Sequence, residues 1–151
     1  MTEAAELERV ADLLGGGRLL RHKLESRLDA HEMLLRGLPS KALNHLVESL
    51  LVLDRTTSLE KAVGISLRTF QRHKEGQSKS LSPEQSGRAW KFAEILAKAI
   101  AVLGSQEEAE QWLERPALGL DGRRPIDLLA TPAGIELVED FLTRLEYGVY
   151  V

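Results

Sequence analysis

Residues 57–98 read TSLEKAVGISLRTFQRHKEGQSKSLSPEQSGRAWKFAEILAK. Ser58 to Val63 is room for a helix of about two turns. Gly64 supplies the positive φ that a sharp helix–helix turn needs, and Ile65 plugs the corner with an apolar side chain. Ser66 is a good N-cap for a second helix from Leu67 to Lys74. On that helix Leu67 and Phe70 are expected inward, and Arg68, Thr69, Gln71 and Arg72 outward. Gly76 stops it. Ser82-Pro83-Glu84-Gln85 then forms a capping box with proline at the first helical position. It starts a long helix whose stripe is Ala89, Phe92, Ala93, Leu96, Ala97 and Ile100, with Trp90 as added core mass, ending at Leu103-Gly104. Two short helices around a glycine turn, backed by a long amphipathic one, read as a helix-turn-helix.

Charge singles out the same stretch. The formal charge of −3 is uneven: residues 66–98 carry a net +4, whereas residues 99–151 carry a net −6. A basic middle beside an acidic end suggests one polyanionic partner and one of another kind. An Arg on the second helix can reach guanine with two hydrogen bonds, and Thr can touch a thymine methyl. Lys74 and Lys79 stand where phosphate contacts position such a motif. The expected DNA-contacting set is therefore Ser66, Arg68, Thr69, Gln71, Arg72, Lys74 and Lys79. An ordinary solvated helical corner shares the glycine and the cap; charge and helix lengths favour DNA.

Outward from this centre every segment reads as helix, so the expected class is all-α. Residues 3–14 carry Leu7, Val10, Ala11 and Leu14 at helical spacing. Gly15-Gly16-Gly17 reads as a hinge rather than a phosphate loop, because no strand precedes it and no Gly-Lys-Ser/Thr follows. Residues 18–36 read as one helix with Leu20, Leu24, Leu28 and Leu35 on its stripe and His31 among them. Narrow stripes of this kind must pack on the rest of the chain or on a second copy; self-association is the preferred reading and makes 1–36 the candidate dimerisation segment. Ser40 is expected to cap a core helix bearing Leu43, Leu46, Val47, Leu50 and Leu51, closed by Asp54-Arg55-Thr56-Thr57. Further on, Ser105-Gln106-Glu107-Glu108 reads as a second capping box. Residues 116–124 are loop, Pro125 starts a short turn, and Thr131 caps a last helix with Ile135, Val138, Phe141, Leu142 and Leu145 inward. The tail ends in Tyr147, Gly148, Val149, Tyr150 and Val151, an apolar finish that either folds back onto the core or is buried by another protein. The expected divisions are 1–36, 37–104 and 105–151.

Composition removes other classes. With no cysteine there is no disulfide framework or thiol nucleophile. His22, His31, His45 and His73 are scattered, so no metal site and no nucleophile–base set is visible, and no cofactor motif is present. The chain is expected to be non-enzymatic. No apolar run approaches a membrane span, and the acidic start MTEAAELERV lacks signal-peptide order, so a cytoplasmic location is expected.

Several of these pieces recur together in one family. Gly64, Ile65, Ser66, Thr69 and Arg72, then Leu81 to Glu84, Trp112 and Leu113, Pro116 to Gly119, Arg124 to Leu129, and Thr131 with Gly134 closely resemble the pattern of the Xre/MbcA/ParS antitoxins. The resemblance covers roughly residues 37–151 and leaves 1–36 unmatched. It implies a type II antitoxin: an N-terminal part that dimerises, a central helix-turn-helix on operator DNA in its own promoter, and a C-terminal region that covers the active site of a RES-domain, NAD⁺-consuming toxin. It also implies a homodimer within a hetero-oligomeric complex. On that reading the toxin contacts are Arg144, Glu146, Tyr147, Gly148 and Tyr150. The alternative is a stand-alone helix-turn-helix regulator whose acidic C-terminal third serves another purpose. One departure stands out. Many DNA-binding helix-turn-helices place alanine four positions before the turn glycine, and here that position is Glu60.

Overall fold

The computed structural model describes residues 3–76 and 80–148. Everything in it is organised around one long helix, α7 (Pro83–Leu103). Ser82 Oγ accepts from the Gln85 N–H at 3.1 Å, and Gln85 Oε1 returns the bond to the Ser82 N–H at 3.2 Å, so the expected capping box forms. Gly104 ends the helix at φ 102°. Trp90, Ile95 and Ala99 are buried as well as the predicted stripe from Ala89 to Ala97. The buried surface is wider than one stripe because α7 is wrapped on several sides, as expected of a central helix.

The wrapping elements come from the whole chain. α1 (Glu3–Leu13), α2 (Gly16–Leu20), α3 (Arg27–Arg36) and α4 (Ser40–Glu48) precede the motif. α5 (Arg55–Thr57) runs directly into a π-helical turn, Ser58–Val63, and α6 (Leu67–Lys74) follows the glycine corner. After α7 come α8 (Gln106–Glu114), 3₁₀ turns at Leu118–Leu120 and Pro125–Leu128, and α9 (Pro132–Glu146). α1, α3, α8, α9 and the π turn all pack on α7, while α6 packs on α4. Among the described residues there is no strand, only isolated bridges at Pro39–Ser80 and Ala117–Arg123. No helix there is long and apolar enough to cross a membrane.

Four expectations need correction. Residues 18–36 are not one helix. Arg21 turns left-handed at φ 56°, and Ser26 starts a new helix by exchanging hydrogen bonds with Asp29. The leucines at 20, 24 and 28 are four apart, and a run of four-residue steps drifts around a helix. Hence Leu20 is buried while Leu28 and Leu35 are exposed, and Ala30 and Met33 face the core instead. Ser40 does not cap α4; Pro39 holds that position, and Ser40 is buried as the first helical residue. Asp54 does not close α4 but opens α5, its carboxylate accepting from the Thr57 N–H at 2.9 Å and the Thr57 hydroxyl at 2.7 Å. At Ser105 only the serine half of the box forms, to the Glu108 N–H.

Two polar clamps fasten the shell. Leu38 donates its N–H to the buried Ser86 Oγ at 2.7 Å and accepts from the Leu81 N–H at 2.8 Å, joining the entries of α4 and α7. The second clamp is Glu110, whose side chain is wholly buried. Its carboxylate accepts the N–H groups of Leu51, Val52 and Leu53 at 2.8–3.0 Å, and Gln106 Nε2 at 2.7 Å. The loop between α4 and α5 is thereby held by a side chain of α8.

Candidate nucleic-acid interface and partner-binding end

The corner of the motif is built by a glycine and an arginine together. Gly64 sits at φ 76°, and its N–H reaches back five residues to the Leu59 carbonyl at 2.7 Å. The wide turn rotates Leu59, Ala62 and Val63 into the interior and leaves Glu60 exposed. This accommodates the unusual Glu60: the extra residue in the π turn moves the helix contact off that position. Arg88 of α7 then satisfies the open carbonyls at the end of this element, with Nε to Ala62 at 3.1 Å and Nη2 to Lys61 at 3.0 Å. Any Cβ at Gly64 would lie 2.0 Å from the Arg88 guanidinium. Sequence reading missed Arg88, a cation that serves the turn and not a phosphate. Its only signal was a basic residue on the flank of an otherwise apolar stripe.

α6 leaves this corner with Ser66 as its N-cap, Oγ accepting from the Thr69 N–H at 3.1 Å. The Ser66 hydroxyl donates to Thr69 Oγ1 at 3.0 Å, so both hydroxyls are partly committed to the cap. Phe70 is buried as expected. Arg68, Gln71 and Arg72 are exposed, and neither arginine pairs with a carboxylate among the described residues. Leu67 is a correction: it is 40% exposed and belongs to the outward set. α6 is anchored through its far end, where His73 Nδ1 lies 3.1 Å from Ser40 Oγ and Lys74 Nζ lies 2.6 Å from Glu48. The first turn, carrying Leu67, is left free. The Lys74 ammonium holds the Glu48 carboxyl below the usual carboxylate range. Lys74 therefore stands in an exposed ion pair, and Lys79 lies outside the described residues.

At the other end, α9 is seated through close contacts. Thr131 caps it, Oγ1 accepting from the Gly134 N–H at 3.0 Å. Gly134 itself is buried so tightly on the preceding turn that an added Cβ would sit 1.9 Å from the Leu128 carbonyl oxygen. That turn is fixed by Arg124, which meets both Asp127 oxygens at 2.9 Å. The hydrogen bonds from Arg124 hold the Asp127 carboxyl low, against an opposing effect of burial. On its α7 side, α9 offers Glu139 to Lys91 at 3.5 Å, and Lys91 also meets Glu94 at 3.1 Å. Burial disfavours the Lys91 ammonium, but the two glutamates outweigh it and raise its pKa. Trp112 and Phe141 pack with their ring centroids 5.7 Å apart and their planes tilted by 36°. The last turn then runs into solvent: Arg144, Glu146, Tyr147 and Gly148 are all exposed, Tyr147 at 76%. Tyr150 lies outside the described residues. The described members of the expected nucleic-acid and tail residues thus form two separate sets, exposed except for the half-buried Thr69, one at α6 and one at the end of α9. Among the described residues no group of histidines and carboxylates is arranged to hold a metal ion.

Residues 29–94 match the antitoxin Xre-like helix-turn-helix domain, and residues 98–148 match the antitoxin Xre/MbcA/ParS C-terminal toxin-binding domain. This chain belongs to the Xre/MbcA/ParS antitoxin family. The family is one of non-catalytic binding proteins. Among its relatives, the Antitoxin Xre of Yersinia enterocolitica is 33% identical over 91 residues, which cover 60% of this chain and 61% of that protein. The Antitoxin Xre of Pseudomonas putida is 29% identical over 126 residues, covering 83% and 76%. That of Photorhabdus laumondii is 29% identical over 90 residues, covering 59% and 60%. The chain thus spans about three fifths of the Yersinia and Photorhabdus proteins. The two domain matches meet inside α7, so one helix serves as the spine of both.

Proposed function

We propose that this chain is the antitoxin of a type II toxin–antitoxin pair, and that it works by two contacts. Residues 105–151 cover the active site of a RES-domain toxin that consumes NAD⁺. The helix-turn-helix within residues 37–104 binds operator DNA and represses its own operon. The observation that carries this reading is the succession of the two family matches on one chain, 29–94 then 98–148.

The geometry supports each contact. On α6, Arg68, Gln71 and Arg72 are exposed for base edges, with Ser66 and Thr69 at the entry turn. Lys74 and Lys79 take the phosphate role, Lys74 exchanging Glu48 for a phosphate oxygen on binding. At the tail, Arg144, Glu146, Tyr147, Gly148 and Tyr150 make the toxin contact, with a large aromatic surface that costs little side-chain entropy to fix. A homodimer within a larger toxin–antitoxin complex would read two half-sites about 34 Å apart or a multiple of that. If residues 1–36 supply the dimer contact, Leu28 and Leu35 are the side chains for it, because Leu7, Val10 and Leu14 are already buried within this chain.

Co-expression with the product of the adjacent open reading frame, followed by capture on an N-terminal tag, tests the pairing. A stable complex with a neighbour that is toxic alone is expected. A neighbour that is harmless and does not co-purify would contradict the reading.

A further inference from the structure

Residues 116–123 form a tight loop that holds one leucine clear of the protein. Leu118 is 93% exposed, more than any other large apolar side chain among the described residues. The backbone around it is ordered on both sides. The Ala117 N–H donates to the Arg123 carbonyl at 3.1 Å across the neck of the loop. The Ala117 carbonyl accepts from Leu120 at 3.0 Å and Gly122 at 2.9 Å, and the carbonyl of Leu118 itself accepts from Asp121 at 3.1 Å. Asp121 and Gly122 reverse the chain at φ 57° and 73°. Leu120 is buried, and Gly119 lies flat on the Phe141 ring, where a Cβ would come within 2.2 Å of it. Leu118 is therefore followed directly by a glycine pressed on an aromatic ring and then by a buried leucine, which fix the backbone it stands on.

Single exposed leucines are common and need no explanation when they sit on loose loops. A leucine held out by a hydrogen-bonded loop is different, because the backbone is already ordered and only its own side-chain rotamers remain to be fixed when a partner covers it. It also has company. Phe141, beneath the loop, shares its helical face with Leu137 four residues before and Arg144 three residues after. Leu137 is itself 53% exposed. The loop packs on α9, the helix that carries the exposed Leu137 and ends at the exposed Arg144 and Tyr147.

We propose that Leu118, supported by Leu137, is a preformed anchor that inserts into an apolar pocket of the toxin, as a second contact beside the tail. The proposal rests on the toxin-binding reading above. The toxin is the occupant because the loop and Leu137 lie wholly within the 98–148 stretch that matches the toxin-binding domain, and the loop packs on the same helix that carries the proposed tail contact. Arg123, exposed at the loop neck, suits a pocket with an acidic rim.

The test uses the full-length tagged chain and the purified product of the adjacent open reading frame, comparing wild type, Leu118→Ala, Leu118→Asp and Leu118→Met by titration. Leu118→Ala is expected to raise the Kd about tenfold or more, given the apolar area a buried leucine covers. Leu118→Asp is expected to weaken binding further and Leu118→Met to stay near wild type, with melting temperatures unchanged for all three. Wild-type affinity in Leu118→Ala and Leu118→Asp would overturn the anchor and leave the antitoxin reading standing. A Leu118→Met variant as weak as Leu118→Ala would also overturn it. Failure of the wild-type chain to bind the neighbouring product would overturn both.

Discussion

Replacing Glu110 with alanine removes the acceptor for three consecutive backbone N–H groups, those of Leu51, Val52 and Leu53. Leu53 is buried at 4% exposure, so water does not replace the lost partner there. An orphaned buried donor costs roughly 1–3 kcal/mol. Leu51 and Val52 are on the solvent side, at 65% and 39% exposed, so their N–H groups lose less. Gln106 also loses a partner at 2.7 Å, and the vacated side-chain volume adds a cavity cost. Together these come to about 3–4 kcal/mol, a large fraction of the roughly 5–15 kcal/mol that holds a domain folded. In a chain of this size that is a fall in Tm of about 6–15 °C. Glu110→Gln keeps one acceptor oxygen but turns an amide NH₂ toward other donors, and should lose about half as much. Urea denaturation followed by circular dichroism measures both. Hydrogen exchange at residues 51–53 should speed up first, because the damage is local. A loss below about 1 kcal/mol for Glu110→Ala would refute the reasoning, since it would mean the three donors find other partners at little cost.

Other expectations follow from single contacts. Gly134→Ala drives a Cβ into the Leu128 carbonyl oxygen; it should destabilise the protein by about 2 kcal/mol or more, read by thermal melt, and weaken toxin binding with it. Asp54→Ala removes the α5 cap and should cost about 1 kcal/mol at neutral pH. The side-chain hydroxyl of Thr57, then its N–H, hold the Asp54 carboxyl below its unfolded value; its contribution is full above about pH 4 and lost as pH falls through the depressed value, so the gap between wild type and variant should close in acid. Arg72→Ala should weaken operator binding about tenfold or more and narrow the preference for operator over unrelated DNA in a gel shift, while capture of the toxin stays unchanged.

Much of this protein could be read before its structure. The capping box at Ser82, the glycine corner at Gly64 and the Thr131 cap are local devices, specified by residues three or four positions apart, and local devices are legible in sequence. The misreadings share a cause. Leu67 was placed inward because it stands three residues before Phe70, but α6 packs through its middle and its far end, at Phe70, His73 and Lys74. Leu28 and Leu35 share a helical stripe with Leu20 and Leu24 in the sequence, but the drift of four-residue spacing and the break at Ser26 leave them outside the core. Arg88 and Glu110 act on segments 26 and 57–59 residues away. Their roles follow from tertiary placement, which no periodicity encodes. The π turn has the same character: its extra residue makes room for Glu60, and only the completed corner around Arg88 shows it. For the proposed contacts, residue type and charge single out α6 and the tail in the sequence, whereas the proposed anchor loop depends on what lies beneath it.

The central claim is that this chain restrains an NAD⁺-consuming partner. Measuring intracellular NAD⁺ after inducing the adjacent open reading frame tests it most directly, first alone, then with this chain, then with the chain lacking residues 147–151. The account predicts that NAD⁺ collapses with the neighbour alone, is held at the uninduced level by the intact chain, and falls again with the shortened one. NAD⁺ that stays constant in all three cultures would contradict it.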